Sequence, residues 1–180
     1  MKQISIFLVL LLILFSCIPN QTQSSKVLPV IDIPTKLVVQ PTHQMFLDSL
    51  GKQESGNRYD IVNKYGMLGR YQFSKTTLKG LGFKITPTEF LNSPLVQEEA
   101  MTKLLKENKR LLKKQLKKYN GKTVDGILIT ESGLLAAAHL AGAGSVKKWL
   151  RTNGKQTRTD GFGTTIEKYL QKFSNFKLNI

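Results

Sequence analysis

The sequence predicts a mainly α-helical domain, on three observations. Apolar residues recur at three- and four-residue spacing over several segments, cap signals stand at the ends of those segments, and no long run alternates apolar with polar residues as a half-buried strand would. The helical pattern starts near Thr42. In "HQMFLDSLGKQESG", Leu47, Leu50 and Glu54 lie three and four apart, so Glu54 continues the apolar stripe at the C-terminal end of the first helix, just before Gly56. "FSKTTLKGLGF" predicts a short helix opened by Ser74 and closed by Gly80. "TPTEFL" has capping-box spacing, with Thr86 as cap, Pro87 in the first turn and Glu89 at the third position.

From Pro94 to Asn120 the apolar positions Met101, Leu104, Leu105, Leu111, Leu112, Leu116 and Tyr119 predict one long scaffold helix that stops at Gly121, with lysines on its wet face. "SGLLAAAHLAGAGSVKKWL" is rich in small residues, as suits a buried helix closely approached by neighbours, with Gly142 and Gly144 as its break and a second helix following. "GTTIEKYLQKF" predicts a last amphipathic helix with Ile166, Tyr169, Leu170 and Phe173 on one side; Tyr169 reads as core.

Ahead of this domain, "MKQISIFLVLLLILFSC" sets a lysine before an unbroken apolar run from Ile6 to Phe15, too short for a spanning helix and typical of an export signal. Leu14-Phe15-Ser16-Cys17 resembles the bacterial lipobox, which implies a signal peptide at 1–16, cleavage before Cys17 and lipidation of that residue. Acyl chains on Cys17 would hold the protein on a membrane. Residues 17–41 then form the lipidated N-terminus and a tether, proline-containing and without helical or alternating period, and 42–180 a single folded domain.

Cys17 is the only cysteine, so no disulfide is available, and with His43 and His139 as the only histidines the chain offers no recognisable metal cluster. No cofactor is expected. Lysine and arginine total 27 against 12 acids, a formal charge of +15. Such a charge suits a nucleic acid. An exported lipoprotein meets anionic headgroups and the carboxylates of peptidoglycan instead, so a wall polymer and a membrane are the expected partners and nucleic acid is not. A solvated basic face without a specific partner remains an equal reading.

Glu-Ser-Gly occurs twice, at Glu54 and at Glu131. Glu131 precedes the Leu134–Ala141 helix, where the dipole favours a carboxylate and Thr130 or Ser132 can cap, so its position has a structural explanation. Glu54 meets the unfavourable end of its helix dipole and lies on the apolar stripe. A carboxyl group held in an apolar setting keeps its proton to higher pH, as a general acid requires. A buried glutamate paired with Arg58 or a lysine is the structural alternative.

"ESGNRYDIVNKYGMLGRYQF", residues 54–73, resembles the signature of the lysozyme-like soluble lytic transglycosylases, with Glu54, Ser55, Gly66, Gly69 and Gln72 in register. "LAAAHLAGAGSVKKWL", from Leu135, resembles the later Ala-Ala-Tyr-Asn-Ala-Gly element of the same family. The resemblance spans about residues 43–150 and implies a lysozyme-like fold. It further implies that Glu54 is the catalytic acid and then base, cutting the bond between N-acetylmuramic acid and N-acetylglucosamine with closure of a 1,6-anhydro ring. One carboxylate suffices for that route. Ser55, Asn63, Tyr71, Gln72 and His139 are the implied substrate-binding residues, with Ser55 orienting the glutamate or supporting the turn.

Two departures stand out. Arg70-Tyr71 replaces the family's Leu-Met, and His139-Leu140 replaces Tyr-Asn, so that the tyrosine which often contacts the acid is missing. His139 either supplies that hydrogen bond or is a core histidine. The resulting expectation is a monomeric enzyme of the cell envelope, lipid-anchored in the outer membrane and facing the periplasm. A water-using muramidase of the same fold, with Asp60 as the nearest second carboxylate, and a non-catalytic glycan-binding lipoprotein remain alternatives.

Overall fold

The computed structural model describes residues 41–155 and 163–180, all within a unit spanning Val38–Ile180. The expected signal peptide, Cys17 and the tether up to residue 40 lie outside the described residues, as does Asp160 with its neighbours. Among the described residues there are seven helices and one two-stranded sheet, so the chain is mainly helical. None of these helices is long and apolar enough to cross a membrane.

Helix α1, His43–Ser55, is opened by Thr42, whose side chain accepts from the Met45 amide, and it buries Phe46, Leu47 and Leu50. It ends at Gly56, which takes a left-handed conformation with φ of 69° and returns its N–H to the carbonyls of Gly51 and Lys52. The loop that follows folds back on itself through bridges from Leu68 to Val62 and to Phe73. Helices α2, Lys75–Gly80, and α3, Pro87–Leu91, start where the cap signals predict, and the Thr86–Glu89 capping box is formed in both directions.

The expected single helix over Pro94–Asn120 is two. Helix α4, Pro94–Leu111, ends at Leu112, and α5 covers Lys113–Tyr119. At the junction Leu112 is fully buried while Leu111 is turned 38% into solvent, so the apolar stripe changes direction and the helix breaks to keep Leu112 in the core. A hairpin not foreseen from the sequence follows, β1 (Thr123–Val124) pairing antiparallel with β2 (Ile127–Leu128). Its turn is Asp125-Gly126, both at positive φ, which is the pair of conformations a two-residue hairpin needs.

Helix α6, Glu131–Arg151, forms the centre of the core. Leu134 to Ala137, Val146 and Trp149 are fully buried. Thr130 caps it by accepting from the Gly133 amide, and it is broken at Gly142, with φ of 78° and ψ of 150°; Gly144 causes no break. Helix α7, Ile166–Lys172, packs along α6. Gly133 makes this close approach possible, because a Cβ there would stand 2.7 Å from the Leu170 carbonyl oxygen. The Trp149 indole donates to Glu167 at 2.5 Å, a second tie between the same helices. Phe46 meets Phe173, just past α7, edge-on at 5.7 Å, and the C-terminal end of α1 reaches Tyr169 and Lys172 of α7 through Glu54 and Gln53.

Candidate active site

The last turn of α1, the returning loop, α6 and α7 enclose a cleft of about 630 Å³. Glu54 lies in its wall with 16% of its side chain exposed. Its Oε1 accepts a hydrogen bond of 2.6 Å from the hydroxyl of Tyr169. His139 Nε2 is 3.6 Å from the same oxygen, and the His139 side chain is 7% exposed. That ring stands edge-on to Phe73, and its Nδ1 is buried without a hydrogen-bond partner. Glu54 therefore does not form the structural pair with Arg58 or a lysine that was its alternative role; its partners are a phenol and an imidazole on the cleft side.

Tyr169 reads from the sequence as core. It is 2% exposed, yet its hydroxyl is aimed at the carboxylate, so the residue belongs to both core and site. The hydroxyl that engages Glu54 thus comes from α7, and His139 of α6 sits beside the same oxygen without taking the hydrogen bond. An aromatic residue with a polar tip on the apolar face of α7 was the available signal.

Asn63 and Gln72 also line the cleft. The side-chain Oδ1 of Asn63 accepts from the amides of Tyr65 and Met67, at 2.8 and 3.1 Å, and so shapes the wall. Gln72 sits at φ of 53° and donates to the Gly69 carbonyl at 2.8 Å.

Two expected binding residues do not face the cleft. Ser55 turns the other way: its hydroxyl bonds the Arg70 carbonyl at 2.9 Å and accepts from the Arg58 amide at 3.0 Å, clasping the two ends of the loop. It supports the turn. Tyr71 is fully buried, and its hydroxyl donates to Glu98 at 2.7 Å, because the loop's reversal alternates the side chains and Gln72 takes the cleft side.

Arg70 and Tyr71 belong to a polar network behind the cleft wall. The Arg70 guanidinium reaches Asp48 at 2.5 Å, Glu98 at 2.8 Å, the Tyr59 hydroxyl and Asn57. Gly51 leaves the room for it, since a Cβ there would lie 2.6 Å from Arg70 Nε. Gln97 completes the hold by accepting from the Arg70 amide and donating to the carbonyls of Tyr59 and Phe90. Gly69, at φ of 69°, lets that side chain approach.

Burial works against the Arg70 charge, but its hydrogen bonds to Asp48 and Glu98 outweigh this and raise its pKa above the ordinary arginine value. Burial, reinforced by Glu98, pushes the Tyr71 phenol well above the usual tyrosine range, and acts on Tyr59 in the same direction.

Glu131 opens α6 and pairs with Lys109 at 2.9 Å, a structural position outside the cleft. Asp60 is exposed and lies outside it too. Among the described residues lining the cleft, Glu54 is the one carboxylate. Among the described residues no three His, Cys, Asp or Glu side chains come together as a metal group would need. Comparison of the chain with known protein families, with characterised proteins and with solved structures found no match.

Proposed function

We propose that this chain is a peptidoglycan lytic transglycosylase of lysozyme-like fold, held on the bacterial envelope by a lipid at Cys17, with Glu54 as its general acid and base. The observation that carries this reading is the setting of Glu54: a mostly buried carboxyl group in the wall of a cleft, its Oε1 engaged by Tyr169 and His139 alongside. With Oε1 accepting from the phenol, Oε2 is the oxygen that carries the proton toward substrate.

The reaction then runs in two proton transfers. Glu54 gives its proton to the glycosidic oxygen as the C1–O bond breaks, and the leaving sugar departs as an alcohol. The carboxylate so formed removes the proton from the 6-hydroxyl of the muramic sugar, whose oxygen bonds C1 and closes the anhydro ring. Glu54 ends protonated, ready for another turn. Tyr169 steadies the charged form in between, and a wall shaped by Asn63 and Gln72 holds the sugar. A single carboxyl group fits this route, whereas hydrolysis by a two-carboxylate mechanism asks for a second one across the bond.

The test is digestion of purified peptidoglycan by the full chain and by Glu54→Gln, with products resolved by mass spectrometry. Fragments lighter by one water than hydrolysis products, and lost with Glu54→Gln, are expected. Reducing-end fragments would make the protein a muramidase. Binding without any cleavage by the wild type would make it a glycan-binding lipoprotein.

A further inference from the structure

The cleft does not end at Tyr169. A second hollow of about 530 Å³ lies over α7, lined by Gln53, Thr164, Lys168, Tyr169, Gln171 and Lys172. It shares Gln53, Thr164 and Tyr169 with the cleft that holds Glu54, so the two adjoin. Resting on the glycan-cleaving reading above, we propose that this hollow binds a carboxylate-bearing substituent of the glycan chain, with Lys168 and Lys172 as its cationic contacts.

The donor chemistry of the lining supports the assignment. Lys168 and Lys172 are one helical turn apart on α7, on the face that meets the hollow, and both are exposed. Lys172 is steadied by a hydrogen bond to the side chain of Gln53, the residue next to Glu54. Among the described residues the remaining lining groups are two amides, a hydroxyl and a phenol, with no carboxylate among them. Two ammonium groups at this spacing repel each other, and an anion between them removes that repulsion. Since the hollow adjoins the cleft proposed for the sugar, a substituent of the same polymer is the anion within reach. Two sources share the chemistry: the lactyl carboxylate of a bare muramic acid and the carboxylates of a peptide attached there.

The full chain carrying Glu54→Gln, which retains the cleft without turning over, is titrated calorimetrically at low salt with three glycans. These are a peptide-bearing tetrasaccharide, the same sugar freed of peptide, and a neutral N-acetylglucosamine oligomer. Lys168→Ala/Lys172→Ala in that background is expected to bind the acidic glycan about tenfold more weakly and the neutral one unchanged, as loss of exposed ion pairs dictates. Lys168→Arg/Lys172→Arg retains the affinity. Weakening confined to the peptide-bearing sugar names the peptide carboxylates; weakening confined to the bare sugar names the lactyl group. Unchanged affinity for both acidic sugars, with the neutral one still bound, overturns the hollow and leaves the glycan reading intact. Failure of all three glycans to bind overturns both.

Discussion

Tyr169 and Glu54, 115 residues apart in the chain, are joined by a hydrogen bond of 2.6 Å from the phenol to the carboxylate. The contact depends on helix docking. Phe46 against Phe173 sets α1 on α7, and Gly133 lets α7 lie close on α6, so the direction of the hydroxyl follows from the core beneath it.

Tyr169→Phe keeps the ring and removes that bond. A hydrogen bond to a charged group contributes about 1.5–3 kcal/mol, so on the proposed mechanism turnover of peptidoglycan falls about 10- to 100-fold. The phenylalanine still fills the same apolar volume, so the chain folds, with a thermal unfolding midpoint lowered by the loss of that one bond. Unchanged turnover would show that the phenol takes no part in the chemistry.

Arg70→Met strands charge behind the cleft wall. Breaking a buried ion pair costs about 3–5 kcal/mol; Asp48 is half exposed, which lowers the expectation to about 2–4 kcal/mol. Adding Glu98→Gln to this variant removes the less exposed of the two carboxylates that lose the guanidinium, and urea denaturation is expected to show the double variant less destabilised than the sum of the single ones. Strict additivity would mean that the 2.8 Å pair carries no coupling.

The raised pKa of Tyr71 makes the fold sensitive to alkali. Its phenol is held protonated in the folded state and ionises near pH 10 in the unfolded chain, so below that pH its contribution is complete. As pH rises above about 10 the unfolded state loses this proton first, and stability falls. Melting curves between pH 8 and pH 11 should show a steeper alkaline decline for the wild type than for Tyr71→Phe. Parallel curves would place the sensitivity elsewhere, Tyr59 being the next candidate.

The residues that sequence reasoning named at the site divide by their surroundings. Glu54, Asn63, Gln72 and His139 do line the cleft, and a carboxylate on an apolar stripe ahead of a helix-ending glycine was legible because helical period and caps are local. Ser55 and Tyr71 do not line it, for the converse reason. Adjacent residues of a reversing loop point to opposite sides, and which side faces the cleft is set by Gln97, Glu98 and Asp48, distant in the chain.

The sequence by itself determined the helical class, most helix starts, a break within the Gly142–Gly144 stretch and the position of Glu54 at a helix end, since each depends on neighbours within a turn or two. Only the tertiary structure decided that the scaffold helix breaks at Leu112, that Arg70 and Tyr71 lie behind the wall, and that Tyr169 meets Glu54. Those outcomes rest on how buried faces from distant segments fit together, and that fit is a property of three-dimensional packing which no local pattern carries.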